Sequence, residues 1–142
     1  MDFLFLESQI IDRLGERLSP DIHRLTAADL SGVAEGSQPT PAVHVVFDGY
    51  RVRDSNNAFA AITQQWLTVI AVRNRRGGST GGGARADAGP IIGEVLSSLL
   101  GWRPDGAKAL KIASAPRPGY VAGFAYFPLS WTTELTVRTE CQ

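Results

Sequence analysis

The sequence has little of what disulfide-bonded, metal-dependent or nucleic-acid-binding proteins require. It contains one cysteine, Cys141, in 142 residues, which excludes an internal disulfide and argues against a zinc site built on thiolates. Its 14 Lys and Arg are balanced by 14 Asp and Glu, so the chain lacks the overall positive charge typical of nucleic-acid-binding domains. At this length we expect one domain that spans residues 1–142 and buries its own core.

Long apolar runs are also missing. No stretch approaches the ~18 consecutive apolar residues of a membrane span. The apolar run Phe3–Leu6 is preceded by Asp2 and followed by Glu7, so it lacks both the basic start and the length of a secretion signal. We expect the protein to stay in the cytoplasm where it is made, without a membrane partner.

Two amphipathic helices are predicted from apolar residues that recur at three- and four-residue spacing. The first covers residues 2–18 and stops at Ser19-Pro20. The second has Pro90 in its first turn and Gly101 just beyond its end. A single helical turn is expected at residues 27–30.

Alternating apolar residues predict the strands. They lie at residues 43–47, at 64–74, at 109–114 and, most regularly, at 125–137. Asp48-Gly49 closes the first strand, and whether it resumes at 50–53 stays open. The strand at 64–74 is apolar on both faces, which indicates cover on both sides or cover by another subunit.

The order of these elements indicates an α+β fold, with one antiparallel or mixed sheet of about four to five strands packed by two main helices. Pro128 lies within the last strand, where proline favours a sheet edge or a bulge. We expect the core between the sheet and the helices to contain Trp66, Leu96, Leu99, Phe127 and Leu129.

Five glycines fall within residues 77–83, and this tract fails both common phosphate-binding patterns. Gly77 and Gly82 have P-loop spacing, but Gly83-Ala84 replaces the required Lys-Ser/Thr. Gly81, Gly83 and Ala86 match a dinucleotide-binding pattern, yet seven residues separate them from the preceding strand, and no acidic residue follows at the expected distance. No cofactor is expected here.

We interpret the same tract as a flexible loop over residues 74–86, because ordering polyglycine costs the most backbone entropy. Its flanking arginines either form a solvated charge run or contact a partner. The candidate partner-contact residues are Arg73, Arg75, Arg76 and Arg85.

No other pattern indicates chemistry. His23 and His44 are 21 residues apart, without a third residue at metal-binding spacing, and we interpret both as surface or half-buried structural histidines. No serine or cysteine stands in a nucleophile motif. The sequence therefore predicts no catalytic, metal-binding or cofactor-binding residue.

Four stretches taken together resemble the phage tail terminator, or tail-completion, proteins, particularly the branch found in Mu-like contractile-tailed phages and prophages. They are PAVHVVFDGYRV, QQWLTVIAVRN, the helical stretch RADAGPIIGEVLSSLLGWRPDGAKALKI, and the final FAYFPLSWTTELTVR. The resemblance extends from Phe3 to Arg138, and its most specific features are the Leu-Leu-Gly-Trp-Arg-Pro segment and the Tyr-Phe-Pro-Leu strand.

The resemblance implies a structural, non-enzymatic role at the head-proximal end of a phage tail. Such proteins form a ring, usually of six subunits, on the finished tail tube, stop its polymerisation and present a surface to head-completion or connector proteins. Its partners would be copies of itself and the tube protein, and DNA would meet it only when passing through the ring. The tract Gly77–Gly83 is not general in the family, so its role stays open.

Two alternatives belong to other classes. In the first alternative, the chain is a head–tail connector or another minor tail subunit, and an image of a particle with the protein located on it would distinguish this role. In the second, it is a small ligand-binding or enzymatic domain, which a deep apolar pocket with converging polar groups would favour.

Overall fold

Six strands form one mixed sheet in the computed structural model, which describes residues 1–31, 33–74 and 82–139. Strands β1 and β2 are parallel, and every other pair is antiparallel. The sheet order is β1-β2-β3-β6-β4, with β5 also beside β6. The helices are α1 Leu6–Arg17, α2 Ala27–Leu30 and α3 Gly82–Leu99; the strands are β1 His23–Thr26, β2 Ala42–Ser55, β3 Phe59–Arg73, β4 Lys111–Ala113, β5 Gly119–Val121 and β6 Phe124–Arg138. The predicted α+β fold is confirmed.

Strands β2 and β3 form one long hairpin. Its turn is held by Asn56, whose side-chain Oδ1 accepts hydrogen bonds from the backbone N–H groups of Ala58 and Phe59, at 2.7 and 3.0 Å. The pairing shifts register between Phe47 and Tyr50, where Gly49 has a φ of +101° that favours glycine. Asp48-Gly49 is therefore a bulge within one continuous strand. We call the end of the sheet that carries the Asn56 turn the hairpin end.

Helices α1 and α3 pack on one face of the sheet, which we call the helix face. Trp66 and Trp131 are cross-strand partners at its centre, and both are fully buried. Of the predicted core residues, Trp66, Leu99 and Phe127 are buried, while Leu96 and Leu129 are partly buried against the same cluster. The core therefore lies where the alternation of β6 and the stripe of α3 predict it.

Helix α3 begins earlier than the sequence predicted. It starts at Gly82, so Pro90 lies inside the helix rather than in its first turn. The reason is that Ala84 and Ala88, both buried, extend the stripe of Ile91, Val95 and Leu99 toward the N-terminus. Pro90 is exposed, on the side where backbone carbonyls can be hydrated. Residues 82–86 of the predicted flexible loop are thus helical.

Proline is accommodated in β6 by a gap on its outer side. Pro128 pairs with Val69 of β3. On the other side, β5 pairs residues 124–126 and β4 pairs residues 130–132, so no strand of the described residues lies beside Pro128 to require its missing N–H. Strand β6 lies inside the sheet, but at Pro128 it is paired on one side only, as a strand at a sheet edge is.

The opposite face of the sheet is covered near the end of β3 by the connection 33–41. The Gln38 side-chain amide donates a hydrogen bond of 2.7 Å to the Tyr126 hydroxyl, and Gln38 is buried. Val46, Leu67 and Val69 lie farther along this face and are partly exposed. The expectation that β3 is covered on both sides is therefore met along part of its length.

Candidate interaction surfaces

The glycine-rich segment connects β3 to α3 at the end of the sheet opposite the hairpin end, which we call the loop end. Arg73 is the last residue of β3. Its guanidinium lies 4.9 Å from the centre of the Phe124 ring, and its Nη2 donates a hydrogen bond of 3.3 Å to the carbonyl of Gly36. Arg73 therefore also has a structural role, fixing the connection 33–41 to the sheet.

The other candidate arginines are distributed around the same segment. Arg85 is exposed in the first turns of α3. Arg75 and Arg76 lie outside the described residues, as does residue Cys141. The structure thus places Arg73 and Arg85 at the loop end, on either side of the segment that carries Arg75 and Arg76.

A cleft of about 460 Å³ opens beside this segment. It lies between the start of α3, the end of β3 and Thr40-Pro41, and its polar lining residues include Thr40, Arg73 and Asp87. No histidine, serine or cysteine lines it among the described residues. The described part of its lining thus offers neither a serine or cysteine nucleophile nor a histidine base for acyl transfer or hydrolysis.

Titratable groups give no sign of a catalytic cluster in the part of the chain that the structure describes. Burial lowers the pKa of His44, and its Nε2 has no hydrogen-bond partner. A hydrogen bond from Ser19 lowers the pKa of the exposed Asp21. His44 lies at a buried position in the sheet and Asp21 in a surface turn, so they do not form one site. Among the described residues, no cluster of three or more His, Cys, Asp or Glu side chains could hold a metal ion.

Within the part of the chain that the structure describes, the two sides of the sheet end in strands with unpaired edges. On one side β1 pairs only with residues 42–45 of β2, so the rest of β2 is an edge. On the other side β4 is three residues long and pairs only with residues 130–132 of β6. Unpaired strand edges and their flanking side chains are ready sites for association.

A basic cluster around Glu134 of β6 lies on the face of the sheet opposite the helix face. Glu134 Oε2 is 3.6 Å from Lys108 Nζ and 4.0 Å from Arg53 Nη2, and Arg103 lines the same shallow cleft of about 330 Å³. Such exposed ion pairs contribute at most about 1 kcal/mol. Two cations beside one carboxylate, with Arg103 lining the same cleft, leave this region positively charged.

The sequence model of one family, described as "Phage tail terminator protein", matches residues 1–140. The chain belongs to this family. No curated protein matches it. As a phage tail terminator, it is a structural component of the virion tail that interacts with other tail components, in a family that is generally non-enzymatic.

The family assignment confirms the resemblance to tail terminators, while placement in the Mu-like branch stays a prediction. None of the terminator's described helices is long and apolar enough to cross a membrane.

Neither the exposed edges nor the basic cluster was predicted from the sequence. Lys108 and Lys111 stand close together near a turn signal, but their common side becomes evident only once β4 is paired with β6.

Proposed function

We propose that this protein caps the head-proximal end of a phage or phage-like tail tube as a ring of six subunits, the number that the resemblance implies. In this position it stops tube polymerisation and enables head–tail joining. The observation that carries the proposal is the family match over residues 1–140. In a ring each subunit meets its neighbours through two different surfaces. The unpaired edges on opposite sides of the sheet are compatible with such a subunit.

The loop end is a candidate surface for a partner. Arg73, Arg75, Arg76 and Arg85 place four cations in and around one segment of the chain. Of these, Arg85 is exposed, and exposed cations are complementary to an acidic partner surface. We propose that this segment contacts the tube protein or a head-completion protein rather than the neighbouring subunit.

The test is a tail-assembly system that lacks this gene product. Without the protein, tails should be overlong or should fail to join heads, and purified protein should restore normal length and joining. Electron microscopy gives the distribution of tail lengths and the fraction of joined particles. Normal, joined tails in the complete absence of the protein would contradict the proposal.

A further inference from the structure

The sheet face opposite the helix face carries a line of polar and charged residues toward the hairpin end. Arg51 is the strand partner of Thr63, and Thr63 is the partner of Glu134. The Lys108 backbone N–H donates to the Glu134 carbonyl at 2.9 Å, so these four residues cross the sheet from the edge of β2 to the segment before β4. Ile62, beside Thr63, is buried on the helix face, and successive side chains of a strand alternate between faces.

Further cations adjoin this line. The pairing of β2 shifts register around Arg53, whose Nη2 lies 4.0 Å from Glu134 Oε2. Lys111 of β4 pairs with residue 132 of β6, two residues before Glu134 and therefore on the same face. Arg103 lines the cleft that contains Glu134, and Arg138 lies four residues farther along β6. We call this surface the basic face; its cations are Arg51, Arg53, Arg103, Lys108, Lys111 and Arg138.

Positive charge exceeds negative charge on the basic face. Besides Glu134, its carboxylates are Asp54, which pairs with Ala61 on this face, and Asp48, which lies at the bulge on its border. Six cations against three carboxylates leave a surplus of three positive charges, and the rest of this neutral chain has the opposite surplus. The basic face is therefore a local polyanion-binding surface that the net charge of the chain conceals.

The basic face has no exposed apolar centre. Tyr50, Val52 and Ile112 are exposed nearby, but their strand partners place them on the helix face. Among the described residues, no large apolar side chain is exposed between the six cations. The buried centre of a protein–protein interface is apolar, whereas interfaces with DNA are more polar and much more positively charged. This composition favours a nucleic acid over an acidic protein as the occupant.

The cations form two rows on either side of the face. Arg51 and Arg53 belong to β2, and Lys108 and Lys111 lie beyond β6. Three strand spacings separate the rows, a distance of about 14 Å, and the major groove of B-DNA is about 12 Å wide. Each row can therefore follow one of the two phosphate backbones that border a groove. Glu134 lies between the rows, where Arg53 and Lys108 offset its charge.

We infer that the basic face binds the phosphate backbones of double-stranded DNA. Its arginines and lysines contact phosphate oxygens, which carry no sequence information, so binding does not depend on base sequence. The inference goes beyond the proposed function, because it concerns a surface of the single subunit and requires no ring.

Fluorescence anisotropy of a short labelled DNA duplex of mixed sequence tests this binding with the purified full-length protein. If three or four phosphates are neutralised, the logarithm of the association constant falls with that of the salt concentration with a slope of about −2.7 to −3.6. The dissociation constant should then rise about 40- to 150-fold between about 50 and 200 mM salt.

A double variant and a matched control locate the contact. Arg51→Gln with Lys111→Gln removes one exposed cation from each row. Arg17→Gln with Arg24→Gln changes the net charge equally at exposed positions in α1 and β1. At about 50 mM salt the first variant should bind the duplex at least about tenfold more weakly, with a salt slope smaller by about one for each cation removed. The control should bind like the wild-type protein. Circular dichroism establishes that both variants are folded.

Three outcomes would overturn the inference. The first is that the wild-type protein does not bind the duplex at up to about 0.5 mM protein and low salt. The second is that the folded variant and its control weaken binding equally, which would be an effect of net charge alone. The third is binding of labelled poly-glutamate without binding of the duplex, which would identify an acidic protein as the occupant. Because no tails are used, each of these results leaves the proposed function to its own test.

Discussion

At the scale of single residues, the two central tryptophans each depend on one polar partner. The Trp131 indole N–H donates to Thr68 Oγ1 at 2.9 Å, and both side chains are fully buried. The Trp66 indole donates to Gln64 Oε1 at 2.9 Å, and the Gln64 amide donates to the Phe3 carbonyl at 2.7 Å. The core of this small domain therefore includes two polar links whose loss would leave a buried donor unpaired.

We predict that Thr68→Val lowers the free energy of unfolding by about 1–3 kcal/mol, because it leaves the Trp131 N–H without an acceptor. Urea unfolding measures the change. Trp131→Phe removes the donor, so Thr68→Val should cost markedly less in that background than in the wild-type chain. Equal costs in the two backgrounds would show that the hydrogen bond contributes nothing to stability.

His44 predicts a pH dependence of stability. Burial lowers its pKa in the folded protein, and its neighbours across the strands, Leu25 and Val69, are apolar. Since the unfolded chain then binds a proton more readily than the folded one, the contribution to stability is present above the ordinary histidine pKa of about 6.5 and is lost as pH falls toward the lowered value.

The expected result is a loss of stability as the pH falls below the ordinary histidine pKa of about 6.5, and this loss should be smaller in His44→Gln, which does not titrate. Each unit by which the pKa is lowered contributes about 1.4 kcal/mol. Denaturant unfolding at several pH values measures the slope for both proteins. Parallel curves for the two would show that His44 is not responsible.

At the scale of elements, Leu99, the last residue of α3, and Leu100, which follows it, form a matched pair of leucines. Leu99 is fully buried and Leu100 is 56% exposed. We predict that Leu99→Ala costs about 2–5 kcal/mol of unfolding free energy, whereas Leu100→Ala changes it by less than about 0.5 kcal/mol. Thermal or urea unfolding distinguishes them, and equal effects would contradict the placement of α3 on the sheet.

The elements also show what the sequence could predict. The alternation of β6 and the stripe of α3 are repeated signals, so both elements were predicted. The four-residue β1 and the three-residue β5 offer no period long enough to recognise, and both form through pairing with β2 and β6. Likewise, Leu110 and Ile112 have similar side chains, but Leu110 is 1% exposed, whereas Ile112, at the sheet edge, is 45% exposed. Exposure at this sheet edge therefore follows from tertiary placement and could not be predicted from residue type.

The segment between β3 and α3 should contribute little to stability. Residues 77–81 lie outside the described residues, and their flexibility stays a prediction. Because the entropy of closing a loop changes slowly with its length, removing three of these residues should change the free energy of unfolding by less than about 1 kcal/mol. A larger loss in denaturant unfolding would show that the segment is packed in the free protein.

At the scale of the whole molecule, two kinds of surface have separate proposed tasks. The unpaired edges of the sheet would join subunits, and the loop end would contact another tail or head component. A chain of zero net charge can still use electrostatics at the loop end, since a local group of cations gives specificity that the net charge does not reveal. The separation of the two tasks also predicts that damage at the loop end leaves assembly of the protein with itself intact.

The decisive variant reverses Arg75, Arg76 and Arg85 to glutamate. If the loop end binds an acidic partner, the variant should remain folded, sediment like the wild-type protein and fail to restore normal, joined tails. The matched control reverses Arg17, Arg117 and Arg138, which are exposed elsewhere and change the net charge equally; it should restore tails. Full restoration by the first variant would show that these cations are a solvated charge run. Failure of both variants would indicate a general effect of net charge instead of a contact at the loop end.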